Sequence, residues 1–506
     1  MMRDPIAAPT GRTQWLESIS GMSLGAERPQ RGRINIFVNL ESVMKKMNRC
    51  IAKSALLASL IVANWLPAVA QDVGTPLSAA GAIIAGNQNG AIPEFNGKPE
   101  ILPGWSPEKP RVEYSKYKDE KSILTIDASN VDKYADKLSA GQVAFIKMTK
   151  GYAMDVYPSH RDCALPDFVQ QNSKKNITEA KLSDDGNVLL TAQLPGVPFP
   201  VPKNGAEVMW NFLMRYRGFA IDFGEDWTIV SPRPGSSEFL KVKQKQFNLL
   251  PWARRGSTTP KQVDDKFGAL FFQTVEPAAL AGQGLVALGS FGDADPEVYY
   301  YFPGQRRVRR LPNYQYDAPN IGYENQYMVD QLDMFSGKLD RFDWKLVGKK
   351  EMYVPYNSFA MYDFRKSLPD VYGPEFINKT SRRYELHRVW EVIATVKAGA
   401  RHSAPTKVFY VDEDSWNAVV SEDLDAQNKL WKVREGFSMP AWEIGGACDI
   451  ESFVQYDLID GRYVADQIPV GTGPGMRWLT DSDTPNDPRM KLDFYTPDNL
   501  RSVSER

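Results

Sequence analysis

From Gly284 onward the chain is a succession of short runs rich in Val, Tyr, Phe and Trp. They read GLVALGSF, EVYYYFP, RRVRRLP, WKLVGKKEMYVPY, YELHRVWEVIATV, PTKVFYVDEDSW, KLWKVREGF and SFVQYDLIDGRYVADQI. β-Branched and aromatic side chains fit a pleated, half-buried surface, and most of these runs are bounded by Gly, Pro, Asn or Asp. FPGQ, VDED and IDGR have the composition of tight turns, so successive strands meet as antiparallel neighbours. Strands outnumber helices. The expected class is α+β: a large, mostly antiparallel sheet with a few helices against one face.

Three helical signals precede this region. Asn130 is placed to cap VDKYADKL, and SAGQVAFIKM from Ser139 has the Ser-x-x-Gln spacing of a capping box. In PKNGAEVMWNFLMRYRG, Asn204 and Glu207 are three apart, Val208, Phe212 and Tyr216 recur every fourth residue, and Gly218 stops the run. Trp210 and Met214 lie off that stripe. Ordinary packing on two sides accounts for them; the alternative is that they line a cavity, where Met suits varied ligands.

Residues from Met44 to Gly74 read MKKMNRCIAKSALLASLIVANWLPAVAQDVG. Lys45, Lys46, Arg49 and Lys53 form a basic region, Ser54–Trp65 is mostly apolar, and Ala68-Val69-Ala70 supplies small residues for cleavage between Ala70 and Gln71. This is the pattern of a secretory signal peptide over 44–70, too short and too soon followed by Pro67 for a membrane span. Residues 1–43 then read as an extension upstream of the true start, Met44 or Met47. The mature chain from Gln71 is expected in the periplasm and not membrane-spanning. Residues 71–115, rich in Gly, Pro, Asn and Ala, read as an extended irregular arm, and 116–506 as a single domain.

Of the 3 cysteines, Cys50 leaves with the signal segment. Cys163 and Cys448 remain, and a pair in an oxidising compartment reads first as a disulfide, with two separate buried thiols as the alternative.

Several longer phrases carry a resemblance: YADKLSAGQ, YAMDVYPSHRDCALPDFVQQNSKKN, GVPFPVPKNGAEVMWN, PGQRRVRRLPNYQYDAP, DMFSGKLDRFDWKLVGKKEMYVPYN and FYVDEDSW. Together they resemble the proteobacterial family known as domain of unknown function 1329, over nearly all of the chain from about Gly86 to FYTPDNLR. Such proteins are similar to the periplasmic lipoprotein carrier and its outer-membrane receptor. The resemblance implies a strongly curved open half-barrel, its concave face closed by helices around an apolar cavity. It supplies a fold and an analogy, not a mechanism.

Four arginines, Arg306, Arg307, Arg309 and Arg310, fall within five residues. On a strand, Arg307 and Arg309 share one face while Arg306 and Arg310 share the other. Neither face is apolar, which suits a sheet edge, where charge suppresses edge-to-edge pairing. The functional alternative is that one pair points into the mouth of the cavity and holds a carboxylate or phosphate. With 61 basic and 62 acidic residues there is no basic domain, and nucleic acid is excluded as a partner.

The 3 histidines, His160, His387 and His402, show no metal-ligand spacing, so no metal is expected. LGSFG around Ser290 lacks the first glycine of a nucleophile elbow, and GTGPG at Gly471 lacks the strand–turn–helix setting of a dinucleotide loop. No cofactor is expected, and the protein is not read as an enzyme. The leading expectation is a carrier for a lipid or other hydrophobic molecule. The alternatives are a subunit that docks to an outer-membrane protein or export pump, and, more weakly, an envelope hydrolase.

Overall fold

The computed structural model describes residues 76–505, so the expected extension, signal segment and cleavage site at Ala70/Gln71 lie outside the described residues. The first strands are β1 (Leu124–Asp127), β2 (Ala153–Val156), β3 (Lys181–Leu182), β4 (Leu189–Thr191), β5 (Ala220–Val230), β6 (Leu240–Leu249), β7 (Lys266–Glu276), β8 (Gly284–Ser290), β9 (Glu297–Phe302) and β10 (Arg307–Arg310). They continue as β11 (Phe342–Pro355), β12 (Tyr384–Val396), β13 (Thr406–Asp412), β14 (Ala418–Leu424), β15 (Leu430–Gly436), β16 (Met439–Ala441), β17 (Ala447–Asp449), β18 (Phe453–Asp457), β19 (Arg462–Ile468) and β20 (Arg477–Leu479).

Sixteen of these strands build one curved, open sheet in the order β1-β2-β12-β13-β14-β15-β18-β19-β5-β6-β7-β8-β9-β10, with β11 on β12 and β20 on β5. Its pairings are antiparallel apart from one bridge between Tyr384 and Val156. The runs read from the sequence as strands are found as strands, and FPGQ is a tight turn over Pro303–Gln305.

One face is covered by the helix Pro497–Ser504, whose Leu500 belongs to the same buried cluster as Phe247, Phe271 and Val286. The helix Ala140–Met148 lies on the same face, where Gln142 bonds Glu435. The other face is covered by the helix Gly205–Leu213 and by residues 311–341, the long connection from β10 to β11. A connection of that length inside a compact fold is either functional or disordered. Here it is ordered by polar anchors. Gln331 Nε2 donates to Asp423 at 2.6 Å, and Lys432 Nζ donates to the Gln326 carbonyl at 2.9 Å.

The helix starts follow capping chemistry. Ser139 and Gln142 form the capping box, and the Asn204 side chain accepts from the Glu207 amide at 2.9 Å. Asn130 departs from expectation. Its side-chain amide bonds the Thr125 carbonyl and the Asp127 amide, closing the turn after β1, so it caps nothing and Val131–Lys137 is a 3-10 helix. The helix at Gly205 ends at Leu213, short of the predicted stop at Gly218, because Arg215 and Arg217 turn into buried carboxylates around Asp449.

Cys163 and Cys448, 285 positions apart, are joined by a disulfide. The segment before β1 is irregular and is held by single contacts. The Ala80 carbonyl accepts from Trp416 Nε1 at 2.9 Å and the Ile83 carbonyl from Arg161 at 2.8 Å. Among the described residues no helix is long and apolar enough to cross a membrane.

Candidate functional site: an apolar cavity with an acidic wall

A cavity of about 290 Å³ lies between the sheet and residues 311–341. Alternation along each strand decides which side chains face it. Register places one row across five strands: Arg309 opposite Tyr300, Tyr300 opposite Leu285, Leu285 opposite Phe272, and Phe272 opposite Gln246. The middle of this face, with Leu270, Phe272, Leu285, Ala287 and Val298, is the apolar wall. Leu332 and Leu339 line the cavity from the long connection, and Trp210 and Leu213 from the helix at Gly205. That helix approaches closely because a Cβ at position 205 would stand 2.8 Å from the Trp344 backbone.

The inner wall is chemically different. Gln244, Gln246, Tyr323, Tyr327 and Asp466 all line it, with Asp226 buried directly behind. Gln244 and Gln246 donate to Asp226 at 3.0 and 3.2 Å, and the Tyr323 hydroxyl donates to Gln244 Oε1 at 2.7 Å. Tyr327 donates to Asp466 Oδ2 at 2.9 Å, and the Thr228 hydroxyl donates to Asp466 Oδ1. Among the described residues no cation pairs with either aspartate. Burial, and then the charge of Asp466, hold the Asp226 carboxyl well above the usual carboxylate range. Burial pushes Asp466 up to about 6. Beside them Arg217 also lines the cavity, each of its nitrogens bonded once, to Asp449, Glu451 or Asp333. Asp333 reaches this position from a left-handed backbone, φ 50°.

Trp210 is among the residues lining the cavity, its Nε1 donating to the Gly186 carbonyl at 3.0 Å. Met214 is fully buried and is not among the lining residues. The four arginines sit on and beside β10, the last strand of the sheet, as the edge reading required. Arg307, Arg309 and Arg310 are exposed and Arg306 occupies the left-handed position closing the turn. None of the four lines the cavity. Arg307 and Arg309 do share its face of the sheet, one strand beyond the apolar wall.

A larger groove, about 530 Å³, opens between β3–β4 and β11 and is lined by Asp184, Asp185, Glu207, Asp343 and Lys397. Its walls are mostly polar, so the predominantly apolar cavity is the better site for an apolar ligand. Ser290 lines that cavity, but its hydroxyl accepts from the Gly292 amide. The three histidines bond Glu120, Glu385 and Asp330 instead. His387, Asp412 and Asp414 bring ligating atoms within 4.8 Å of one another. Asp414 is nevertheless held by Arg161 through both oxygens, at 2.9 and 2.6 Å, and Asp412 accepts from Ser415 and Tyr356.

The residues that sequence reasoning missed are those of the inner wall. Their signal is slight: Gln, rather than Lys or Glu, at the face-sharing positions 244 and 246 of an otherwise charged strand.

Known proteins bear on this fold as follows. An uncharacterised protein of Pseudomonas aeruginosa is 35% identical over 433 residues, covering 83% of this chain and 93% of its own. An outer membrane lipoprotein-sorting protein domain from Vibrio parahaemolyticus is 10% identical, with a TM-score of 0.38, covering 59% of this chain and 98% of that one. A DUF1329 family protein from Desulfovibrio piger is 13% identical, with a TM-score of 0.36, covering 58% of this chain and 98% of its own. Residues 125–501 match the sequence model described as protein of unknown function (DUF1329). With three-quarters of its length inside that match, the chain belongs to the DUF1329 family.

Proposed function

We propose that this protein binds a mostly apolar small molecule in the cavity beneath residues 311–341 and carries it between envelope components through the periplasm. The observation that supports this reading is the apolar cavity itself, walled by Leu270, Phe272, Leu285, Ala287 and Val298 on one side. A protein fold ordinarily fills such a volume, because empty space beside apolar side chains forfeits their contacts. Each methylene taken out of water is favourable by about 0.8 kcal/mol, so a chain of ten contributes on the order of 8 kcal/mol before binding costs. Entry and release require movement of the long connection. The signal-like segment at 44–70 supports the periplasmic setting.

A second reading rests on the edge strand. Arg307, Arg309 and Arg310 stand exposed, and no acidic residue among the described ones pairs with them. As rim arginines they suit docking to an acidic surface on an envelope partner, which is compatible with carriage and also sufficient without it.

The test is mass spectrometry of organic extracts from protein purified without detergent. An apolar compound at near-stoichiometric amounts is expected. Ligand-free protein that also fails to take up a fluorescent lipid leaves docking as the working function.

A further inference from the structure

Away from the cavity, the turn that follows β13 meets the start of β12 in a buried cluster of charge. Glu385 and His387 are two apart on β12 and share one face, and Asp412, the last residue of β13, lies opposite Val389. His387, Asp412 and Asp414 are all buried and bring ligating atoms within 4.8 Å of one another. Asp412 is fixed through one oxygen only. Its Oδ2 accepts from the Ser415 amide and hydroxyl at 2.9 and 2.6 Å and from the Tyr356 hydroxyl at 3.1 Å. Its Oδ1 is buried without a hydrogen-bond partner and stands 3.9 Å from His387 Nδ1. That is too far for a hydrogen bond, yet within the roughly 4.2 Å that two ligands span across an ion about 2.1 Å from each. The far side of the imidazole is held as metal-bound histidines are held. Nε2 donates to Glu385 Oε2 at 3.3 Å, and Arg383 donates to the other oxygen of that carboxylate at 2.7 Å. In the neutral ring this leaves a lone pair on Nδ1. Arg161 bonds both oxygens of Asp414, at 2.9 and 2.6 Å, which orients that carboxylate and leaves each oxygen a lone pair. Among the described residues no arginine or lysine pairs with Asp412 or with the neighbouring Asp162. A buried carboxylate without a cation is costly, and a proton on Nδ1 supplies one charge but no bond to Oδ1 at this distance.

We propose that His387 Nδ1, Asp412 Oδ1 and one oxygen of Asp414 hold a divalent transition-metal ion, zinc by preference, as a structural centre separate from the cavity, which none of the three lines. One imidazole and two carboxylates suit Zn²⁺ or Mn²⁺, whereas Ca²⁺ takes about six to eight oxygens at longer distances. A fourth position falls to water or to a second carboxylate oxygen. The segment before β1 covers the cluster, because Arg161 donates to the Ile83 and Pro93 carbonyls and Trp416 to the Ala80 carbonyl. The ion is therefore taken up as the chain folds, and it ties β12 to the turn after β13 beneath that segment.

Metal analysis of the protein, unfolded with a chelator, refolded with Zn²⁺ or Ca²⁺ and passed over a chelating column, tests this. Protein refolded in zinc is expected to keep about one equivalent, and protein refolded in calcium at least tenfold less. His387→Gln is expected to lose the zinc at least tenfold. His402→Gln, which changes an equally buried side chain bonded to Asp330, is expected to keep it. Zinc below about a tenth of an equivalent in the refolded parent overturns the centre, as does zinc that His387→Gln retains in full. X-ray absorption on the zinc-loaded parent needs no variant to fold. Oxygen neighbours and one imidazole are expected, and sulfur neighbours or no imidazole overturn the assignment. Carriage of a ligand in the cavity stands or falls separately from each of these results.

Discussion

The Tyr327 hydroxyl donates to Asp466 Oδ2 across 2.9 Å and so ties the 311–341 connection to β19 through a carboxylate that no described cation compensates. Burial raises the carboxyl of Asp466 from 3.8 to about 6. The folded state therefore holds a proton that the unfolded chain releases at lower pH. That contribution is fully present below about pH 4 and lost as pH rises through about 6. Asp466→Asn removes the penalty of ionising this buried carboxyl above about pH 6, with one of the two hydroxyls turning to accept from the amide nitrogen. The expected result is a variant about 3 kcal/mol more stable than the parent at pH 8, with the gap closing towards pH 4, because each tenfold difference in proton affinity between the folded and unfolded chain corresponds to about 1.4 kcal/mol. Urea unfolding at a series of pH values measures it. An equal gap at both ends of the range contradicts the assignment.

Filling the cavity separates ligand carriage from stability. Ala287 lies on the apolar wall and is only partly buried, so Ala287→Phe occupies ligand space without displacing the core. Retained ligand in the extracted protein is expected to fall at least tenfold while the thermal midpoint stays within a few degrees. A variant that keeps its ligand places the ligand elsewhere.

The bridge between Cys163 and Cys448 spans 285 positions. Chain-entropy arguments give about 5–6 kcal/mol for a loop of this size, whereas measured losses of native bridges centre on about 2–5 kcal/mol. Cys163→Ser/Cys448→Ser is expected to lose an amount in that measured range in denaturant unfolding.

Exposed edge arginines contribute little to stability. Arg307→Ala/Arg309→Ala is expected to change unfolding free energy by less than about 0.5 kcal/mol. The same variant is expected to weaken capture by vesicles or partners of acidic surface, measured by surface plasmon resonance at two salt concentrations. Salt-independent binding by the parent removes the electrostatic docking role.

Removing the Asn204 side chain tests how the helix that carries Trp210 is set. Asn204→Ala is expected to cost about 1 kcal/mol, the usual value of such a cap, read by thermal unfolding.

How much of this is legible in the residues depends on the strand. EVYYYFP and PTKVFYVDEDSW announce themselves as β9 and β13 because aromatic and β-branched residues suit no other half-buried element as well. β6, LKVKQKQFNL, does not stand out, since its alternating Lys and Gln resemble a solvated segment. In the fold its lysines face water, whereas Gln244 and Gln246 are 4% and 5% exposed against Asp226. A glutamine that faces solvent and one that satisfies a buried carboxylate are the same letter.

The sequence by itself determined the antiparallel, strand-rich class, two of the helix starts and the edge position of Arg306–Arg310. Each of these follows from local propensity, side-chain alternation or a cap within a few residues. Tertiary structure decided the site. Asp226, Gln246, Tyr327 and Asp466 lie far apart in the chain and meet only because β6, β5 and β19 are neighbours under one long connection. The raised pKa values of the two carboxyls arise from burial together, a property of groups in space that no single residue carries.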